Sequence, residues 1–176
     1  MTAGLSFAMT DAAREQRFLA LLNANLGALG RLAASYAGST GERDDLMQEI
    51  ALALWQALPR FRGESSERTF LFRIAHNHCI NHIVRRRPVE SLEQLELDPE
   101  DAAQPIEAMV SAGQESARLL AAVKKLPLIQ REVVVLALED MDYAEIAAVL
   151  GITETNVGVR LNRARATLRK LMGEHT

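Results

Sequence analysis

Tyr143-Ala-Glu-Ile-Ala-Ala-Val-Leu150, followed by Gly151-Ile152-Thr153 and Glu154-Thr-Asn-Val-Gly-Val-Arg160, is the stretch whose reading decides the fold. The first eight residues make a short helix with Ile146, Ala147 and Leu150 inward. Gly151 supplies the left-handed residue that a tight helix end needs. Thr153 can cap the next helix by accepting from the amides near Thr155 and Asn156. Val157 and Leu161 complete a small core. The last helix runs from Glu154 to about Met172. It carries Arg160, Arg163, Arg165, Arg169 and Lys170, with no acid between Thr155 and Met172. A cationic helix after a glycine-centred turn suits the major groove of a duplex. The plainer alternative is a helical bundle with a solvated basic face.

Working backwards from this stretch, every segment reads as helical. Pro127 opens a helix with Ile129, Val133, Leu136 and Ala137 inward. Near the N-terminus, Phe18, Leu19, Leu22, Leu26, Leu29, Leu32, Ala33 and Tyr36 recur at three- and four-residue steps, the stripe of one long amphipathic helix. Gly38, Ser39 and Gly41 end it. A second helix is expected from about Asp44 to Leu58, with Asp44 and Asp45 at its positive end, stopped by Pro59. Residues 60–65 form a loop. A third helix starts at Ser65 or Ser66 as N-cap. It carries Phe70, Leu71, Ile74, Ala75, Ile80, Ile83 and Val84, and finishes in Arg85-Arg86-Arg87. No alternating strand pattern occurs. The fold class is all-α: two small helical domains, an N-terminal helical bundle and a C-terminal helix-turn-helix, joined by an acidic linker.

Charge supports that division. The chain has 176 residues and a net charge of −3. Residues 1–87 carry +3, residues 88–116 carry −8 with no base, and residues 117–176 carry +2. The middle segment also holds Pro88, Pro99 and Pro105 and reads as a linker, with a short helix near residues 106–117. The two flanking blocks are locally basic, as a partner of phosphates must be. Cys79 is the one cysteine, which excludes an internal disulfide and a cysteine-rich zinc module. No apolar run reaches the roughly 20 residues of a membrane span, and the first residues lack a cationic signal stretch. A cytoplasmic protein without direct membrane insertion is expected.

His76, His78, Cys79 and His82 fall within seven residues of the third helix. His78 and His82, four apart, could share a metal face. Packing or partner-facing roles are the more common fate of such side chains. No metal and no cofactor is expected. There is no phosphate-binding glycine loop, nucleophile elbow or paired-carboxylate pocket, so no enzyme is expected either.

Two groups of motifs together carry a resemblance to a family. Asp44-Asp45-Leu46-Met47-Gln48-Glu49, Trp55, Phe61-Arg62-Gly63-Glu64-Ser65-Ser66 and Arg68-Thr69-Phe70-Leu71-Phe72-Arg73-Ile74-Ala75 resemble region 2 of extracytoplasmic-function (ECF) sigma factors of bacterial RNA polymerase. Leu126-Pro127, Gln130-Arg131-Glu132, Tyr143 with Glu145-Ile146-Ala147, Leu150-Gly151-Ile152, and Arg160-Leu161 with Arg163-Ala164-Arg165 resemble region 4. The resemblance covers roughly residues 20–87 and 116–172. It implies a dissociable polymerase subunit that directs promoter-specific initiation. Its partners would be core polymerase, through the largest-subunit coiled coil and the flap, promoter DNA, and an anti-sigma factor.

By position, Asp44, Asp45, Gln48 and Glu49 would dock on polymerase. Arg60, Phe61, Arg62, Gly63, Ser65, Arg68, Phe70 and Arg73 would hold the minus-ten element. Thr155, Asn156, Val159, Arg160, Arg163 and Arg165 would meet the minus-thirty-five element. Phe70 stands where the family usually has Trp, which keeps a stacking face and loses the indole N–H. Gly158 and Val159 stand where Lys and Ser are frequent. Val159 could touch a thymine methyl. Trp55 reads as core. The alternative function is a free-standing helix-turn-helix regulator responsive to metal or redox state. It leaves the N-terminal block unexplained.

Overall fold

The computed structural model of the chain describes residues 10–86 and 112–173. Seven α-helices are seen: α1 Asp11–Tyr36, α2 Thr40–Ala57, α3 Glu67–Arg86, α4 Ala112–Lys124, α5 Leu128–Ala137, α6 Tyr143–Leu150 and α7 Glu154–Met172. A 3-10 turn, Leu58–Arg60, follows α2. Among the described residues there is no strand. Helices α1 to α3 form an N-terminal module and α4 to α7 a C-terminal one. Residues 87–111, most of the expected linker with Arg87, lie outside the described residues, as do residues 1–9 and 174–176. The described part of α4 begins inside the segment expected as linker.

The N-terminal helices follow their apolar period with informative exceptions. In α1, Leu29, Leu32, Ala33 and Tyr36 are buried as expected, but Leu19 and Leu26 are about half exposed. Leu21 and Asn25 take the inward positions instead. Asn25 is held there by hydrogen bonds: its Nδ2 donates to the Leu21 carbonyl at 2.9 Å, and its Oδ1 accepts from Arg68. A satisfied buried amide costs little, which lets the stripe rotate. Helix α2 starts four residues earlier than Asp44. Ser39 is the N-cap and accepts from the Glu42 amide at 3.2 Å. Asp44 and Asp45 therefore sit in the second turn, beyond the strongest part of the helix dipole. Helix α3 is capped by Ser66, whose Oγ accepts from the Thr69 amide. Leu71, Phe72, Ala75 and Cys79 point inward, whereas Val84 is half exposed. Phe72 is the largest of the fully buried side chains.

In the C-terminal module α6 and α7 have the expected bounds. Asp142 and Glu145 form a reciprocal capping box at the start of α6. Gly151 adopts φ 67°, ψ 36° and its N–H returns to the Ala147 carbonyl. Thr153 caps α7 by accepting from the Asn156 amide. Helix α5 departs from expectation. Val134 and Val135 are buried with Val133 and Leu136, and Ile129 is exposed at its rim. The cause is tertiary: α5 is enclosed by α4, α6, α7 and α1 and so is buried on more than one face.

The two modules share one apolar cluster, from Leu29 and Phe72 to Val133 and Leu161. Helix α3 packs on α6, and α1 packs on α4 and α5. Fully burying each such side chain contributes about 2 kcal/mol.

Candidate nucleic-acid interface

The loop after α2 is shaped by Pro59 and Gly63. The latter has φ +76° with open space around it, which favours glycine. Phe61 and Phe70 stack with centroids 4.7 Å apart at 44°. The Arg17 guanidinium lies 5.3 Å from the Phe61 ring and pairs with Glu67. Arg60, Arg62 and Gly63 are exposed, and Ser65 is half-buried, its Oγ donating to the Ser66 carbonyl. The structure therefore gathers Phe61, Phe70, Ser65 and two cations around one loop, a rim with stacking surface and hydroxyls. Arg17, which underpins the loop from α1, has no local sequence signal linking it to Phe61. Trp55 is half-buried, edge-on to Phe18 and beneath Arg14 at 4.0 Å, so it belongs to the framework.

Arg68 and Arg73 do not join that rim as free cations. Arg68 Nη2 donates to the Glu139 main-chain carbonyl at 2.5 Å, and its guanidinium lies over Phe72. Arg73 Nε donates to the Ala148 carbonyl at 3.2 Å. Both acceptors belong to the C-terminal module.

The α2 surface carries Asp44, Asp45 and Gln48 exposed, with Asp44 paired to Arg43. Glu49 turns toward α3, where Arg85 Nη2 donates to it at 2.9 Å and His78 stands at 3.6 Å. That Arg85 bond holds the Glu49 carboxyl below the usual range. Two turns earlier Glu42 is likewise lowered, first by the Gly38 amide, with Arg86 and His82 beside it. His78 and His82 thus face different carboxylates. Among the described residues no group of three or more metal-ligating side chains is assembled. Cys79 is fully buried, and burial pushes its thiol pKa up, away from thiolate chemistry.

On α7, Thr155, Asn156, Val159, Arg163 and Arg165 are exposed along the helix. Arg160 is steadied from two sides: its Nε donates to Asn156 Oδ1 at 3.1 Å, and Glu132 of α5 lies 3.6 Å away. Glu132 also meets His76 of α3 at 3.2 Å. Tyr143 packs over Gly158, where an added Cβ would lie 3.4 Å from the ring. That distance is an ordinary van der Waals contact, so the packing does not itself require glycine at this position.

A glycine-turned helix pair with an exposed, cation-bearing second helix defines a helix-turn-helix nucleic-acid-binding protein, here fused to a second helical module. Comparison with known proteins makes this specific. Residues 21–89 match the family model of Sigma-70 region 2, and residues 116–168 match that of Sigma-70, region 4. The chain is 36% identical over 173 residues to RNA polymerase sigma factor CnrH of Cupriavidus metallidurans, covering 92% of this chain and 90% of that one. It is 34% identical to ECF RNA polymerase sigma factor SigC of Mycobacterium tuberculosis, covering 76% of this chain and 72% of that one. The solved structure of CnrH in complex with the cytosolic domain of CnrY superposes with a TM-score of 0.68 at 28% identity, covering 92% and 91% of the two chains. The chain belongs to the sigma-70 family, as an ECF sigma factor. It binds core RNA polymerase and promoter DNA and directs transcription initiation. The region 2 match accounts for the N-terminal block that a free-standing regulator leaves unexplained. The family is not known as enzymatic. No helix among the described residues is long and apolar enough to cross a membrane.

Proposed function

We propose a division of labour between the surfaces of the two modules. The exposed Asp44, Asp45 and Gln48 face of α2, with Glu49 at its edge, docks on the coiled coil of the largest polymerase subunit. The loop around Phe61, Arg62, Gly63 and Ser65, with Phe70 and the start of α3, holds an unpaired base of the minus-ten element. Arg60, Arg68 and Arg73 supply its phosphate contacts. The first half of α7 reads the minus-thirty-five duplex through Thr155, Asn156, Val159 and Arg160, while Arg163 and Arg165 meet phosphates. The C-terminal module also meets the polymerase flap. The chain acts in the cytoplasm by binding alone, with no chemistry or cofactor of its own. An anti-sigma factor controls it, a reading supported by the similar structure in which CnrH is held by CnrY.

The observation that carries this reading is the exposed edge Thr155–Asn156–Val159 on a helix launched by the Gly151 turn. Of the three side chains, Asn156 also serves the module itself, accepting from Arg160. Run-off transcription on fragmented genomic DNA tests it. Core polymerase lacking its own sigma, mixed with this chain, should yield new discrete start sites. Their absence, with a duplex footprint that needs no polymerase, would replace it by a free-standing regulator.

A further inference from the structure

The loop that carries Phe61 and Gly63 is gripped at both ends by one face of α1. Arg14 and Arg17 stand three residues apart on that helix, so their side chains leave from the same side. Arg14 holds the end of α2. Its Nη2 donates to the Trp55 carbonyl at 2.6 Å, and its guanidinium lies 4.0 Å from the Trp55 ring centroid. In a continuing helix that carbonyl would accept from residue 59, but Pro59 has no N–H to give. Arg14 supplies the missing donor where the chain leaves α2. Arg17 holds the start of α3. Its Nε donates to Glu67 Oε1 at 2.5 Å, and Glu67 is the first residue of that helix. The same guanidinium lies 5.3 Å from the Phe61 ring centroid, within cation–π range. Ser66 fixes the landing from its own side: its Oγ accepts from the Thr69 amide at 3.0 Å and donates to Thr69 Oγ1 at 2.9 Å. Between these two anchors Gly63 has open space around it.

We propose that Arg17 is a positioning residue for the unpaired base: from α1 it fixes where Phe61 presents its ring, and so sets which base the loop accepts. Phe61 is only partly buried and stands directly after the 3-10 turn, with Phe70 and Arg17 beside its ring. Phe70 moves with α3. Arg17 ties the Phe61 ring to α1 and, through Glu67, to the first turn of α3 at the same time. A stacking surface by itself accepts every base, because every base has a π-face. Choice between bases comes from where the ring holds the base edge against the amides and hydroxyls of the loop. A ring that wanders therefore blurs selection at one position more than it lowers overall affinity. A loop already ordered before the strand arrives also has less freedom to lose on binding. This inference rests on the assignment of the Phe61 loop to an unpaired minus-ten base.

Position-resolved selection tests it in the full chain. Core polymerase assembled with this protein is given a random-sequence single-stranded DNA 12-mer, and the bound strands are sequenced, with core polymerase alone as background. The wild type should enrich preferred bases at several adjacent positions. Arg17→Ala should flatten the preference at one of them by about fivefold, the scale of one cation–π contact, and leave the others within about twofold. The Arg17 side chain is 33% exposed and that of Glu67 42%, so the truncation opens no closed cavity and leaves Glu67 solvated. Arg17→Lys keeps the charge but lacks the flat fork that reaches ring and carboxylate together. It should flatten the same position less strongly. Weakening spread evenly over all positions, with a lowered thermal midpoint, would make Arg17 a plain structural tie and overturn the proposal. An unchanged profile in both variants overturns it too. A wild-type profile no different from that of core polymerase alone would remove the loop from base capture, and the proposal with it.

Discussion

The two modules present their side chains to partners in opposite ways. In the C-terminal module, Thr155, Asn156 and Val159 stand exposed, and Arg160 is positioned by Glu132 and Asn156 of the same module. In the N-terminal module, the ring pair Phe61–Phe70 is flanked at Phe61 by Arg17 from another helix, and Arg68 and Arg73 bond to the other module. The first surface is organised within its own module, with Glu132 of α5 and Asn156 of α7 on either side of Arg160. The second rests on contacts that cross the fold, Arg68 to the Glu139 carbonyl and Arg73 to the Ala148 carbonyl.

The largest expected effect tests whether the modules are truly joined. Phe72 lies in the cluster that spans both. Phe72→Ala should lower stability by about 3–5 kcal/mol. Calorimetry should show one transition that moves as a whole. Two transitions, with only the first displaced, would mean that the modules fold apart and the contrast drawn above is overstated. Next in size is Gly151→Ala. A Cβ at Gly151 meets nothing within 4 Å, so the cost is the left-handed backbone alone, about 1–2 kcal/mol. It should fall on the C-terminal module and leave strand binding by the N-terminal face unchanged. Loss of strand binding would show that the turn also sets the N-terminal site.

A smaller stability effect but a sharper functional one is expected at Arg160. Its pairing with Glu132 is longer than a hydrogen bond, so Arg160→Ala should cost only about 0.5–1 kcal/mol. Promoter selectivity at the minus-thirty-five element should drop while polymerase binding persists. Selectivity that stays intact would remove Arg160 from readout and make it a purely structural partner of Glu132. Thr155→Ala, on an exposed side chain, should separate the terms further: lower selectivity with unchanged stability.

The same contrast explains what could be read from the amino-acid sequence. The bounds of α6 and α7, the Gly151 turn and the Thr153 cap follow from interactions between residues at most five apart. Local chemistry determines them, and local pattern reveals them. The stripe of α1 is different. Leu19 and Leu26 have the right period, yet Asn25 takes the inward position because Arg68, 43 residues later, bonds to it. Ile129 loses its inward place because α5 is enclosed on several faces. The start of α2 was displaced by Ser39, which acts as a cap where a breaker was expected. The arginines of α3 are visible as cations in any reading, but their acceptors are backbone carbonyls, which carry no side-chain signature. No pattern of residue types points to Glu139 or Ala148 as their partners.

The smallest predicted effect concerns the α2–α3 clasp. Glu42 accepts from the Gly38 amide at 2.7 Å and from Arg86, and Glu49 accepts from Arg85. Both carboxyls are lowered from the ordinary value of 4.5 by these bonds. A carboxyl lowered in the folded state binds its proton more readily when the chain unfolds. The clasp therefore contributes its full stability above the unfolded value of about 4.5 and loses it as pH falls through the lower folded value. Both side chains are about one-third exposed or more, so solvent screening limits each to a few tenths of a kcal/mol. Urea midpoints of the wild type and a Glu42→Gln, Glu49→Gln double variant should differ slightly but steadily from pH 7 to about 5. The gap should close progressively below about pH 4.5, where protonation makes the wild type resemble the variant. A gap of constant size down to pH 3 would show that the clasp acts through shape and hydrogen bonding, with charge irrelevant. The N-terminal module would then be held by packing alone, as the C-terminal one is by its caps and core.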